Sequence, residues 1–312
     1  MTKISIIVPA YNEEASIPAL LEQLDGLVAR HPSITFQTVI IENGSTDGSL
    51  TLLRDAIKTR NWITVFSLTR NFDIEGAMLA GLDAIDGDCC IFLNADLEDP
   101  PRLVDQFIDE WRAGAIHVVG LVSDRPNYSY LRNWMTKVFY AIAERMTNGA
   151  IARNVSDFRL IDRVLYQQLR KMREFSRLNR GLIGYLGGPV VRVPFNRDPR
   201  AGGKSSFRNW SAIKWGLRHI LGFTVAPLRA ITLLGIVCCL IAVTGAIYFS
   251  LRALTTGVPF PGFGSIMIVV LIIGGLQFIA LGVIAEYLAI LFLELKSRPR
   301  YVVREEIGIA SN

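Results

Sequence analysis

Cysteine and histidine are scarce in this chain, with four of one and three of the other in 312 residues. The cysteines fall as two adjacent pairs, Cys89 with Cys90 and Cys238 with Cys239. Neither spacing suits a zinc site, and adjacent thiols inside apolar runs read as small buried residues rather than as a disulfide framework. A histidine or cysteine nucleophile therefore has little support, and the chemistry has to rest on carboxylates and cations. Charge is missing altogether from two long stretches, Ala230–Leu251 and Ile266–Ala285, and from the Gly/Pro-rich connection Thr255–Ser265 between them. A secretory leader is not read either, because Lys3 is followed only by Ile4–Ala10 before Tyr11-Asn12-Glu13-Glu14 interrupts the apolar run.

Hydrophobic residues make up 51% of the chain, more than a soluble core of this length requires, and the surplus lies after residue 225. Each charge-free run is long enough to cross a hydrocarbon core of roughly 30 Å as a helix, two buried core helices being the alternative. Arg208, Lys214, Arg218 and Arg229 precede the first run, and Lys296, Arg298, Arg300 and Arg304 follow the second. The positive-inside rule places both ends in the cytosol. Arg252 would snorkel to the far interface, and Glu286 would mark the near interface or a helix contact. The expected organisation is a cytosolic domain over 1–225, a two-helix anchor over 226–295 in the plasma (inner) membrane, and a cytosolic tail over 296–312. Segments 128–146 and 207–223 alternate aromatic or aliphatic residues with Arg and Lys. They read as interfacial amphipathic helices, with packing against their own domain as the alternative.

Within the first 225 residues, apolar runs rich in branched residues alternate with helical periodicity. Strands are expected at Ile4–Pro9, Gln37–Glu42, Ile63–Leu68, Cys89–Asn94 and His117–Val122, and helices at Ala15–Arg30, Ser49–Thr59, Glu75–Ala84 and Leu103–Arg112. This predicts an α/β fold of Rossmann type, a mostly parallel sheet with helices on both faces. Ligands of such sheets collect beyond the carboxyl ends of the strands. Pro9 to Glu14, Glu42 to Gly48, Arg70-Asn71 and Asn94-Ala95-Asp96 all fall at such ends. Asn94, Asp96 and Glu98 offer hard oxygen donors of the kind Mg²⁺ and Mn²⁺ prefer, beside which a diphosphate could sit. Ordinary turn and N-cap chemistry, with Asp99 before Pro100 and Pro101 opening a helix, is the competing reading.

These residues carry a resemblance. Pro-Ala-Tyr-Asn-Glu-Glu, Asn-Gly-Ser-Thr-Asp-Gly, Arg-Asn-Phe followed by Ala-Gly-Leu, and Asn-Ala-Asp-Leu-Glu-Asp-Pro-Pro come in that order. Ser156-Asp157-Phe158-Arg159-Leu160, Arg180-Gly181-Leu182, Pro227-Leu228-Arg229 and Lys296-Ser-Arg298-Pro299-Arg-Tyr301 follow. Over essentially its whole length the chain resembles the family 2 glycosyltransferases that charge polyprenyl phosphate with one sugar, the bactoprenol glucosyltransferase and dolichol-phosphate mannose synthase branch. The resemblance implies a GT-A-like fold and a metal-dependent, inverting transfer of one hexose to undecaprenyl or a similar polyprenyl phosphate. UDP-glucose is the first expected donor and GDP-mannose the second. Pro9, Tyr11, Glu13, Ile41, Asn43, Asn94 and Ala95 match positions that hold the sugar nucleotide. Asn94 and Asp96 match the ends of the family's Asp-x-Asp motif, and Asp96 and Glu98 would hold Mg²⁺ or Mn²⁺. Asp96 and Asp157 are the implied catalytic residues, Asp157 orienting a sugar hydroxyl or the oxocarbenium-like centre. Its competing reading is the N-cap of a helix over Asp162–Lys171. Arg125, Arg132, Arg197, Arg200 and Lys204 match basic positions near the phosphates. The resemblance also implies a homo-oligomer, a tetramer among the forms it allows, and no nucleic-acid partner.

The departures from the family pattern are specific. Two of its aspartates are Asn43 and Asn94 here, and the Gly-Lys that follows Arg-Asn-Phe is Asp73-Ile74. An amide keeps an oxygen acceptor but loses a charge, so direct metal affinity should weaken, with Glu98 compensating in part. A catalytically weak relative that binds lipid-linked sugar or scaffolds a flippase draws its support from these two asparagines. A processive polysaccharide synthase is disfavoured by the absence of a Gln-x-x-Arg-Trp motif.

Overall fold

The computed structural model describes residues 2–123, 155–197 apart from 176, and 262–308, with isolated helical positions between 231 and 251. The chain divides into two units, Met1–Ile213 with Arg298–Asn312, and Lys214–Ser297.

The first unit opens with three strand–helix repeats: β1 (Thr2–Ala10), α1 (Ile17–Arg30), β2 (Ile34–Glu42), α2 (Ser49–Ala56), β3 (Ile63–Leu68) and α3 (Asp73–Ala84). There follow β4 (Cys89–Phe92), a 3₁₀ turn at Pro101–Leu103, α4 (Val104–Arg112), β5 (His117–Val122), β6 (Val155–Asp162), α5 (Arg163–Lys171), α6 (Asn179–Leu186) and β7 (Val191–Phe195). The helix α7 (Phe263–Leu295) makes up most of what is described of the second unit. The strand β8 (Val303–Ile307) then returns to the first.

Among the described residues eight strands form one sheet in the order β7-β5-β6-β4-β1-β2-β3-β8. β4, β1, β2 and β3 run parallel, and β5 runs parallel to β7. The interior strands are continuous apolar runs because both faces are covered. Ile4, Ile6, Ile7 and Val8 of β1 and Cys89, Cys90 and Ile91 of β4 are completely buried. In α1 the apolar residues Ile17, Leu20, Leu21, Leu24 and Leu27 share one buried face, as a 3.6-residue period requires. α3 lies so close on β1 that a Cβ on Gly81 would come within 2.3 Å of Ile7 Cγ2.

The sheet is mostly parallel, as expected, but two of its strands run the other way. β6 runs antiparallel between β4 and β5, and β8 runs antiparallel beside β3. Val155–Asp162 is therefore a central strand, and Asp157 does not cap the following helix. The cap is Asp162, whose Oδ1 accepts the Val164 N–H at 3.0 Å. The stretch 301–307, expected as part of a tail, is likewise built into the sheet. β8 pairs with β3 from Val65 to Leu68, the Thr69 N–H donates to the Val302 carbonyl, and the Tyr301 hydroxyl donates to Asp83 at 2.6 Å.

The second expected span lies within α7, which extends past Ala285 to Leu295. Its 33 residues rise about 50 Å, more than a hydrocarbon core. The stretch Ile273–Leu295 has a mean hydropathy of 2.2 and none of it is buried in the protein; among the described residues it is the one candidate membrane span. Glu286 thus falls inside that stretch rather than at its edge. The first expected span, Ala230–Leu251, is described only at scattered positions, and the expected amphipathic segments 128–146 and 207–223 lie outside the described residues.

Candidate active site

The carboxyl ends of β4, β1, β2 and β3 share one edge of the sheet, and the loops leaving β1, β2 and β3 are tied to one another. After β1, Asn12 takes a left-handed conformation (φ 55°). Its Oδ1 accepts the Thr46 N–H at 2.8 Å and its own N–H donates to Ser45 Oγ at 3.1 Å. The Glu13 N–H donates to Ser49 Oγ, and the Gly48 N–H donates to Glu14 Oε2, both at 2.9 Å. Glu13 Oε2 accepts the Ser16 hydroxyl at 2.6 Å. Gly44 crosses the loop after β3 with φ 70°, and a Cβ there would lie 2.5 Å from the Arg70 carbonyl carbon. No side chain fits that crossing.

At the end of β2, Glu42 is buried, accepting the Ser67 hydroxyl at 2.6 Å and the Ser45 N–H. Asn43, 4% exposed, uses its whole amide inside the protein. Its Oδ1 accepts the Phe72 N–H at 2.9 Å, and its Nδ2 donates to Asn71 Oδ1 at 3.2 Å and to the Asp73 carbonyl at 3.1 Å. A carboxylate could not make the two donations. The departure at residue 43 thus goes with the loop at 71–73, where Asp73 holds φ 59° at the position that is Gly in the family pattern. Asn43→Asp should set a buried carboxylate against two acceptors and destabilise the first unit by about 2 kcal/mol or more. A lowered denaturation midpoint is the expected reading, and an unchanged one would contradict this role.

Beyond β4 the backbone turns at Leu97 (φ 60°), and the Glu98 N–H closes onto Asp96 Oδ1 at 3.2 Å. Asn94 Nδ2 donates to Asp99 Oδ2 at 2.9 Å. Asp99 is completely buried and is no helix cap. It accepts the Ser156 hydroxyl at 3.1 Å and lies 3.6 Å from Arg197 Nε. Arg197 also pairs with Glu98 Oε2 at 3.0 Å. Burial pushes the Asp99 carboxyl up to about 6; Arg197 and Ser156 pull it down, whereas the charges of Asp96 and Asp157 push it further.

On β6, Asp157 accepts both forked donors of Arg180 and lies 4.0 Å from Arg159. Burial would raise its carboxyl, but Arg180, Arg159 and Arg197 outweigh burial and hold it below the usual carboxylate value. Arg159, 3% exposed, donates to the Ser156 carbonyl at 2.7 Å. Beyond β4 and β6 the edge therefore brings together the carboxylates Asp96, Glu98, Asp99 and Asp157 with the arginines Arg159, Arg180 and Arg197.

The expected nucleotide residues divide by accessibility. Tyr11 is 38% exposed, whereas Ile41 and Ala95 are buried at 0% and 2%. Pro9 pairs in register with Ile41. Of the expected basic residues Arg197 reaches the carboxylates, and Arg125, Arg132, Arg200 and Lys204 lie outside the described residues. Sequence reasoning gave Asp99 only a helix start and gave no role to Arg159 or Arg180. The motifs Asp-Phe-Arg-Leu and Arg-Gly-Leu carried the two arginines, but their meeting at Asp157 depends on tertiary pairing.

The mixed sheet, the shared edge where its parallel strands end and this carboxylate–arginine cluster define an α/β class of GT-A-like build. Residues 5–170 match glycosyl transferase family 2, and the chain belongs to that family. An uncharacterised glycosyltransferase of Synechocystis is 35% identical over 98% of this chain and 96% of its own length. The bactoprenol glucosyl transferase of Shigella phage SfX is 32% identical over 97% of this chain and 99% of its own. A prophage bactoprenol glucosyl transferase homolog of Escherichia coli is 31% identical over 97% and 98%.

Proposed function

We propose that this chain transfers a single glucose, with inversion, from UDP-glucose to undecaprenyl or a similar polyprenyl phosphate at the cytosolic leaflet. The observation that carries this reading is one chain holding both a carboxylate–arginine edge and a long, unburied apolar helix. Similarity to bactoprenol glucosyl transferases over nearly the full length supports the substrates.

An acceptor phosphate is already anionic, so the transfer asks little of a general base and much of charge management. Arg197, with Arg125, Arg132, Arg200 and Lys204, would hold the phosphates against their mutual repulsion. Asp157, kept ionised by Arg180, would orient a sugar hydroxyl or face the oxocarbenium-like centre. Tyr11, Pro9, Glu13, Asn94 and Ala95 would receive the nucleoside end. Asn43 supports that pocket by bracing its loop, and Ile41 by packing beneath it.

Asp96 and Glu98 would hold Mg²⁺ or Mn²⁺. No group of three or more Asp, Glu, His or Cys is gathered as an ion cage among the described residues. A site of one or two carboxylates completed by substrate phosphates and water suits Mg²⁺. When bound, the ion supplies Lewis-acid stabilisation of the departing diphosphate. Glu98 would exchange Arg197 for it.

Membranes containing the full chain, incubated with radiolabelled UDP-glucose and polyprenyl phosphate, should yield labelled organic-extractable lipid. Label from GDP-mannose instead would change the donor. Label in neither lipid would overturn the reading. For the two-span anchor, a reporter after Asn312 should face the cytosol and one near Gly257 the opposite side.

A further inference from the structure

Asp99 is completely buried, although it directly follows Glu98 in the loop beyond β4. Its carboxylate ties three strand ends together. Oδ2 accepts the side-chain amide of Asn94, two residues past the end of β4, at 2.9 Å. Both oxygens lie 3.1 Å from the hydroxyl of Ser156, the residue before Asp157 on β6. Oδ1 also stands 3.6 Å from Nε of Arg197, two residues past the end of β7.

The directions of these hydrogen bonds follow from what each group can give. The Phe158 N–H donates to Ser156 Oγ at 3.2 Å, which leaves the hydroxyl proton for Asp99. A carboxylate accepts and has nothing to donate, so Asn94 must turn its Nδ2 to Asp99 and its Oδ1 away. Asn94 is half-buried where Asp99 is fully buried, which leaves that Oδ1 for the open side of the edge. An aspartate at 94, as the family pattern has it, would replace the donor with an acceptor at the same 2.9 Å separation.

We propose that Asp99 is a positioning residue for the nucleotide sugar: it fixes the Asn94 amide so that Oδ1 serves as a neutral acceptor for the donor, and Asn94 is matched to Asp99 rather than a weakened aspartate. The inference rests on the glycosyl-transfer reading and adds to it a buried residue that touches no substrate. Its consequence is that restoring Asp at 94 alone should harm the site, whereas exchanging the two side chains should spare it.

The test is that exchange, made in the purified full chain and read first by calorimetry with UDP in the presence of Mn²⁺. Asn94→Asp and Asp99→Asn should each weaken UDP binding about 10-fold. The first sets two carboxylates face to face, and the second leaves the Asn94 and Ser156 donors a single side-chain oxygen. The double variant Asn94→Asp with Asp99→Asn restores one donor and one acceptor and keeps the net charge of the edge. It should return to within about 3-fold of wild type. Melting temperatures without UDP or metal should follow the same order, each single variant several degrees below wild type and the exchange close to it. An exchange whose loss equals the two single losses combined would overturn the proposal, as would an Asn94→Asp that binds UDP like wild type.

Kinetics with labelled UDP-glucose and polyprenyl phosphate separate positioning from bracing. The single variants should raise donor KM about 10-fold and leave acceptor KM unchanged. A loss confined to kcat would mean that Asp99 only braces the fold, and the proposal would fall. Asn94→Ala, at a half-buried position, covers the case in which Asn94→Asp does not fold. It should show the same rise in donor KM, and a wild-type value there would also count against the proposal. A wild type inactive toward these substrates, with the coupled melting temperatures intact, would instead count against the glycosyl-transfer reading and leave the pairing of Asn94 with Asp99 standing.

Discussion

Asp96→Asn is expected to lower turnover by about two orders of magnitude, the usual scale for losing a central electrostatic stabiliser of a leaving group. The expectation follows from the edge as built: Asp96 is buried, its Oδ1 fixes the Glu98 amide, and Asn94 beside it contributes no charge and gives its amide to Asp99. Glu98→Gln should act differently. It removes the partner of Arg197 as well as a ligand, so Mg²⁺ or Mn²⁺ titrations should shift to higher concentration while phosphate affinity rises. Titrating each metal against initial rate for both variants decides the matter, and superimposable curves for wild type and both variants would refute this ligand set.

Asp157→Asn should cost about 100-fold in kcat with little change in donor KM, because it removes at once the forked acceptor of Arg180 and the charge that, on the proposed mechanism, would face the sugar. Arg180→Ala tests the same pair from the other side. With its carboxyl depressed below 3.8, Asp157 contributes stability that is present above that pH and is lost as pH falls through the folded value. Without Arg180 the folded value rises, so acid unfolding should begin at higher pH than in wild type. Arg180→Lys should recover only part of the difference, since an ammonium cannot reproduce the fork. Acid titration of the melting temperature for the three proteins measures this. Identical acid limbs would mean that Arg180 does not hold Asp157.

The repeating strands and helices of the first half were legible in sequence because β1 and β4 are continuous buried apolar runs and helices such as α1 carry one apolar stripe. β6 was not, since Ser156-Asp157 and Arg159 interrupt its apolar pattern with the side chains of the site itself. β8 was hidden for another reason: Val303–Ile307 is an edge strand with three charges in five residues, and only its partner makes it a strand. At the site, the carboxylates could be found as hard oxygen donors, but not which of them would be claimed by arginine. Asn43 is the clearest example. Read alone it is a weakened aspartate, whereas in the fold its amide donates two hydrogen bonds that a carboxylate cannot.

The order of β8 in the chain has a consequence for biosynthesis. The ribosome makes β1 to β7 first and the long apolar helix α7 next, and only then the strand that covers the edge of β3. Until then β3 presents an open row of amides and carbonyls, the kind of edge that recruits foreign strands. The Arg54–Glu305 ion pair at 2.6 Å and the Tyr301–Asp83 bond also wait for that last segment. Completion of the sheet is thereby made contingent on synthesis of the apolar helix, so a nascent chain stalled before residue 303 would carry its parallel strands with one flank still unsealed.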